Sequence, residues 1–199
     1  MSSLPPNPNT VDVLSSLEKG NFAPILIAFE NSYISPSSLL PSGYSILHYA
    51  ASFNEKFILK LLLNLYNLPS DMMSKNGQTA LMAAGSFGFL EIANILIEKG
   101  ANIDQADESN FTPLTYSIKN GKILISLYLI GKGARIDISD NNGCNLAHWA
   151  SYRNNSFLLH LLIRLGVDPF FQDFYGLTPF QRGIQGNNFE SLKVTNKFI

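Results

Sequence analysis

Charge is scarce in this chain of 199 residues: Asp, Glu, Lys and Arg make up 15% of it, against about a quarter in ordinary globular proteins. Apolar residues reach 46%, so the shortage of charge does not mean disorder, and a core can form without disulfides or structural metal. Cysteine occurs once, at Cys144, which excludes a disulfide framework and any cysteine-rich zinc site. The net charge of −1 excludes a generic polyanion binder. Long apolar runs are missing too. The most apolar stretch, Ile123 to Ile130, has eight residues and stops at Gly131, too short to cross a bilayer. The opening MSSLPPNPNT has no basic n-region and no apolar h-region, so no secretory leader is expected. With the lone cysteine, this fits an intracellular, cytoplasmic chain. Pro5, Pro6 and Pro8 predict an irregular lead-in over residues 1–10.

What the chain does have is a period. Gly43, Gly77, Asn110, Gly143 and Gly176 lie 34, 33, 33 and 33 residues apart. A second column runs Gly20, Asn54, Gly88, Gly121, Asn154 and Asn187, and a third runs Asn67, Gly100, Gly133 and Gly166. Every member is Gly or Asn, the types that most readily enter the left-handed region, so a turn is required once per period at each phase. The third column suits a helix C-terminal cap. Between the columns lie two short helical patterns, such as Thr79 to Phe87 and Leu90 to Lys99. Apolar positions of the second recur as Ile58/Leu61/Leu62, Ile92/Ile95/Leu96, Ile125/Tyr128/Leu129 and Leu158/Leu161/Leu162. Neither helix is long enough to stand alone, but stacked copies bury one continuous core. Thr79, Thr112 and Thr178 suit N-caps, and Pro113 and Pro179 follow where a missing N–H costs nothing.

This pattern resembles the ankyrin repeat. The family signature Thr-Pro-Leu-His-x-Ala is met most closely by Thr112-Pro113-Leu114, and in part by Thr79-Ala80-Leu81, Ser45-Ile46-Leu47-His48 and Ala147-His148-Trp149-Ala150. Gly100-Ala101-Asn102-Ile103-Asp104 and Gly133-Ala134-Arg135-Ile136-Asp137 look like the family's loop after the second helix. The resemblance implies an all-α ankyrin-repeat solenoid of about six helix–turn–helix repeats with hairpin-like loops. The repeat domain would span 11–199, with repeats at about 11–40, 41–73, 74–106, 107–139, 140–172 and 173–199. The first is divergent: Pro24 and the Ser-rich stretch Ser32 to Ser38 depart from the consensus. The last ends in the apolar pair Phe198-Ile199, which points to packing at that end.

Catalytic chemistry finds little support. His48 and His148 sit at the family's histidine position and read as structural groups bonding nearby backbone. Cys144 and His148 are i, i+4, but two ligands do not make a zinc site, and no third group orients a nucleophile. His160 falls among leucines of a second helix and reads as an outer-face residue. Asp104/Asp107, Asp137/Asp140 and Asp168/Asp173 could pass for acid–base pairs. They recur at the repeat period, however, and a turn needs its aspartate in every repeat while a catalytic dyad is needed once. Phosphate loops of the GxGxxG kind are absent. The expectation is a non-enzymatic chain with no catalytic residues, metal, cofactor or small-molecule substrate.

The columns facing the predicted concave surface are rich in aromatics and arginine, the types that dominate interface hot spots. Tyr49, Phe87, Phe111, Tyr116, Trp149, Tyr152, Arg153 and Arg182 are the candidate partner-binding residues, for a protein or peptide. Phe170, Phe171, Phe174 and Tyr175 form a second aromatic cluster, read as either a cap or a contact surface. Residues 1–114 carry 5 Lys/Arg and 10 Asp/Glu, whereas 115–199 carry 9 and 5. An acidic partner segment would therefore turn toward the C-terminal repeats. The basic residues are scattered over helices and loops, which argues against nucleic acid. A structural accessory subunit of a large multiprotein assembly is the alternative. His148-Trp149-Ala150-Ser151-Tyr152-Arg153, with Gly166-Val167-Asp168-Pro169 after it, also resembles repeats of ankyrin domains in membrane palmitoyltransferases. In those a Trp at this place helps bind an extended peptide. The chain has no Asp-His-His-Cys motif, so that resemblance implies a substrate-recruiting part.

Overall fold

The structure, a computed structural model, describes residues 15–17 and 19–186. The expected lead-in at 1–10, Asn187 and Phe198-Ile199 lie outside the described residues. A short helical segment at 15–17 is followed by α1 (Ala23–Glu30), α2 (Ile46–Ser52), α3 (Lys56–Asn64), α4 (Ala80–Phe87), α5 (Leu90–Glu98), α6 (Pro113–Lys119), α7 (Ile123–Gly131), α8 (Leu146–Tyr152), α9 (Ser156–Arg164) and α10 (Pro179–Gln185). Among the described residues no strand forms, only an isolated antiparallel bridge between Ser139 and Asn145. Consecutive helices pair as α2/α3, α4/α5, α6/α7 and α8/α9, and equivalent helices of successive pairs pack together, so α2, α4, α6, α8 and α10 make one row and α3, α5 and α7 belong to a second.

The helices start and stop where the sequence dictates. Thr112 and Thr178 hydroxyls accept from the amides of Thr115 (3.3 Å) and Gln181 (3.4 Å), and Pro113 and Pro179 open α6 and α10. Among the described residues the turn columns carry positive φ, including the asparagines Asn54 (60°), Asn67 (50°), Asn110 (61°) and Asn154 (54°). Leu62, Leu96, Leu129 and Leu162, one per repeat on the second helices, are fully buried, each contributing roughly 1.5–3 kcal/mol. The rows pack closely. A Cβ added at Gly85 of α4 would lie 2.6 Å from the Pro113 carbonyl oxygen of the neighbouring α6.

The first repeat follows the pattern further than its sequence suggests. Pro24 falls in the first turn of α1, where its missing N–H breaks no helical bond. Ser32, two residues past α1, takes φ 57°. Its amide donates to the Phe29 carbonyl and that of Tyr33 to Ala28, as those of Gly100 and Ala101 do to Ile97 and Leu96. A serine thus does the work of the capping glycine. The Ser-rich stretch hid this, because only Gly and Asn are strong markers of left-handed backbone.

Candidate functional site

The loops between repeats are hairpin-like fingers, and an aspartate organises each of the last three. Asp107 Oδ1 accepts from the amides of Ser109 and Phe111, both at 2.9 Å. Asp140 Oδ1 does the same for Asn142 (2.8 Å) and Cys144 (2.9 Å), and Asp173 Oδ1 for Tyr175 (2.9 Å) and Leu177 (3.0 Å). The second oxygen then reaches the first helix nine residues on. Asp107 Oδ2 accepts from Tyr116 Oη (2.7 Å), Asp140 Oδ2 from Trp149 Nε1 (3.1 Å) and Asp173 Oδ2 from Arg182 Nε (2.6 Å). Successive fingers are zipped by one backbone bond each: the amides of Lys75, Glu108, Asn141 and Phe174 donate to the carbonyls of Gly43, Asn76, Ser109 and Asn142. Finger and first helix are thereby one rigid face. The sequence carries this signal as an Asp nine residues before each of Tyr116, Trp149 and Arg182, a spacing that shows only when the loop and helix columns are paired.

Two depressions lie on this face. The larger, of about 500 Å³, is lined by Lys119, Asn142, Cys144, His148, Trp149, Tyr152, Tyr175 and Arg182. The other, of about 340 Å³, is set between α2 and α4 and is lined by Tyr44, Tyr49, Phe53, Met82, Phe87 and Tyr116, with polar neighbours such as Gln78. Of the predicted binding residues, Trp149, Tyr152 and Arg182 come together in the first, and Tyr49, Phe87 and Tyr116 in the second. Phe87 and Tyr152 are 52% and 44% exposed. Phe111 is not on display: at 8% exposure it is packed edge-on against Tyr116 and Trp149, with centroids 5.5 Å from each. Arg153 is exposed at the end of α8 and lines neither depression.

Lys119, Tyr175, Tyr44 and Gln78 are lining residues absent from the predicted set. Lys119 shares a repeat column with Tyr152, and Tyr44 and Gln78 share the finger-tip column with Phe111, so the phase alone could have found three of them. Lys119 Nζ sits 4.3 Å from the Phe111 ring centroid and 4.8 Å from that of Trp149, a cation–π arrangement. Across the second depression runs a polar relay. Tyr44 Oη donates to Gln78 Oε1 (2.8 Å), Gln78 Nε2 to Tyr116 Oη (2.5 Å), and Tyr116 Oη to Asp107. Burial first, and then the Asp107 carboxylate, raise the Tyr116 hydroxyl pKa, so it stays a neutral donor.

The reactive residue types are held in structural roles. His48 Nδ1 accepts from the Ser45 amide (3.2 Å), which leaves the proton on Nε2 to donate to the Gln78 carbonyl of the next finger (2.7 Å). His148 stands in the same place, its Nδ1 3.1 Å from the Asn145 amide and 2.8 Å from Asn145 Oδ1, and its Nε2 3.0 Å from the Leu177 carbonyl. Burial lowers the pKa of both imidazoles against the opposing pull of those carbonyls. The Cys144 thiol is buried and donates to Asp173 Oδ2 (3.6 Å). Burial above all, and then Asp140, push its pKa up to about 12, the opposite of an activated nucleophile. Burial alone would raise the Asp173 carboxyl; the Leu177 amide, the Arg182 guanidinium and the Tyr175 amide outweigh it and hold the pKa below the ordinary range. Among the described residues no three His, Cys, Asp or Glu side chains are grouped to hold a metal, and no helix is long and apolar enough to cross a membrane.

Comparison with known proteins supplies the family. The model of ankyrin repeats (3 copies) matches residues 16–107 and 47–140. The chain is 30% identical over 149 residues to the B-cell lymphoma 3 protein homolog of Mus musculus, covering 73% of this chain and 33% of that protein. It is 32% identical over 152 residues to Ankyrin repeat and SOCS box protein 3 of Homo sapiens, covering 75% and 29%. It is 27% identical over 154 residues to Palmitoyltransferase AKR1 of Lachancea kluyveri, covering 74% and 20%. The chain thus spans a third or less of these curated relatives, one of which is an enzyme by name. With the family model matching more than half of its length, the chain belongs to the ankyrin repeat family, whose repeats generally serve as protein–protein interaction modules.

Proposed function

We propose that this chain is a non-enzymatic module that binds a protein or peptide along the face formed by its fingers and first helices. The observation that carries the reading is the larger depression, where Trp149, Tyr152 and Lys119 are held ready by contacts already made within the fold. A side chain fixed before binding loses little entropy on binding, so its buried area converts to affinity more fully. Tyr49, Phe87, Tyr116, Trp149, Tyr152 and Arg182 would be the contact residues. Phe111 would act as their support, and Arg153 would act at the rim. The repeat divisions given above, from 11–40 to 173–199, are proposed with it as the units of the stack.

Trp149 is the only tryptophan, so partner binding on this face should change the intrinsic fluorescence. Trp149→Phe keeps an aromatic ring, whereas Trp149→Ala removes it. Proteins captured from a lysate on the immobilised full chain should be lost with the Ala variant and weakened with the Phe variant, while circular dichroism shows both folded. Capture that is indifferent to both variants would refute the reading. A second reading, a substrate-recruiting domain of a palmitoyltransferase-like enzyme, is favoured by the similarity to Palmitoyltransferase AKR1 across 74% of the chain. It requires that the captured proteins be S-acylated, which acyl–biotin exchange would test.

A further inference from the structure

The two depressions differ in chemistry. The residues lining the one between α2 and α4 carry no charge once His48 is neutral, and Tyr49, Phe53, Met82 and Phe87 supply its walls. The one around α8 has two cations, Lys119 and Arg182, and no acid among its lining residues. Acids do stand close behind it. Asp140 and Asp173 are each only 4% exposed, and both oxygens of each are occupied by finger amides and by Trp149 or Arg182. Lys119 forms no ion pair among the described residues. A ligand in this depression therefore meets donors that it can reach and carboxylates that it cannot.

The first helices give the spacing. From α4 to α8 is two steps along the row. The other depression begins between α2 and α4, so the centres are two to two and a half steps apart, roughly 16–25 Å at about 8–10 Å between packed helix axes, while Tyr116 and Lys119 of the shared α6 bring their edges closer. An extended chain rising about 3.3 Å per residue covers that in about five to eight residues. Resting on the concave-face reading above, we infer that the occupant is an extended acidic peptide segment. It places a large apolar side chain between α2 and α4, and an Asp or Glu against Lys119 and Arg182 about five to eight residues away. Its carboxylate replaces water at Lys119 Nζ without disturbing the Asp173–Arg182 pair, because Lys119, held over the Phe111 and Trp149 rings, has no carboxylate partner among the described residues.

The test is selection of a random twelve-residue display library on the immobilised full chain, followed by fluorescence titration of synthetic peptides using Trp149. Enriched peptides should pair Leu, Ile, Met or Phe with Asp or Glu at that spacing, in either chain direction. Replacing the acidic residue by Gln should weaken binding about fivefold, the range of a partly exposed ion pair, and raising salt should erase the difference. Lys119→Met, which keeps the stem between Phe111 and Trp149, should bind the Glu and Gln peptides alike; its unfolding midpoint reports the fold. If selected peptides perturb Trp149 but show no acidic preference, or if Lys119→Met keeps the preference, the inference is overturned and the concave-face reading survives. If nothing is enriched, or if enriched peptides leave Trp149 unperturbed and bind Trp149→Ala normally, both fall.

Discussion

Replacing each finger aspartate by asparagine should give three different losses of stability, although the three sites look alike. Asparagine keeps one oxygen for the two finger amides, at all three places. Those bonds lose their charge assistance, which costs about 1–2 kcal/mol in total. The third bond decides the rest, because asparagine presents an NH₂ where the aspartate presented an oxygen. At 107 the neighbour is the Tyr116 hydroxyl, which can turn and accept. Gln78 and Tyr44 can reverse their own bonds along the relay. Asp107→Asn should therefore cost no more than those ~1–2 kcal/mol. At 140 the neighbour is the Trp149 indole N–H, which only donates. Two donors then face each other, adding about 1–2 kcal/mol, for ~2–4 in all. At 173 the neighbour is the Arg182 guanidinium, 24% exposed against a fully buried carboxylate. Breaking a buried pair from one side costs about 3–5 kcal/mol. Urea unfolding of the full chain, followed by circular dichroism, should place the midpoints in the order wild type, Asp107→Asn, Asp140→Asn, Asp173→Asn. An Asp107→Asn variant as unstable as Asp140→Asn would show that donor–acceptor matching at the third bond does not govern these fingers.

Acid should destabilise the stack in two stages. His48 and His148 have folded pKa values below the ordinary 6.5, so the unfolded chain binds protons more readily. Stability is full above that value and falls as pH drops below it; Asp173, held below 3.8, adds a second loss at lower pH. Urea midpoints between pH 8 and 5 should slope downward, and His148→Gln should flatten the slope; a pH-independent midpoint would contradict the neutral burial of the imidazoles. Among glycines, Gly85→Ala should lower the melting midpoint by an amount equivalent to about 1–3 kcal/mol, because its Cβ meets the Pro113 carbonyl. Gly131→Ala, in α7 with nothing within 4 Å, should be neutral or stabilising by up to about 1 kcal/mol, and equal melts for the two would refute the close α4–α6 approach.

The period, the turn columns and the N-caps were legible because each depends on a residue's own backbone preference. Asn54, Asn110 and Asn154 fall in phase with glycines, and asparagine tolerates left-handed backbone better than most residues with a side chain, so the column is visible from the sequence. Ser32 escaped because its positive φ is imposed by α1 and not by its type. The candidate site was legible in composition but not in exposure. Phe111 and Tyr116 lie in neighbouring columns of one repeat, and nothing local says which ring faces solvent. That is decided by packing: Phe111 slides between Tyr116 and Trp149, the latter from the next repeat, and Lys119 closes over it.

The same packing explains why an aromatic or arginine residue stands one turn into each of the first helices α6, α8 and α10. Tyr116, Trp149 and Arg182 are chemically unlike, yet each donates to the aspartate nine residues earlier. The fold asks of this position only a long side chain with a donor. Apart from that donor, the side chain can differ from repeat to repeat without loss of the finger, and these three side chains line the depressions. Where no such donor exists, the arrangement changes accordingly. Ala83 is the equivalent residue in the third repeat, and there Ser74 stands in place of the aspartate. Its hydroxyl accepts from the amides of Asn76 (3.3 Å) and Gln78 (3.1 Å) and makes no bond to the helix. The small Ala83 then leaves the space between α2 and α4 open as an uncharged depression. One repeat position thus sets both how firmly a finger is held and what kind of side chain the groove beside it can receive.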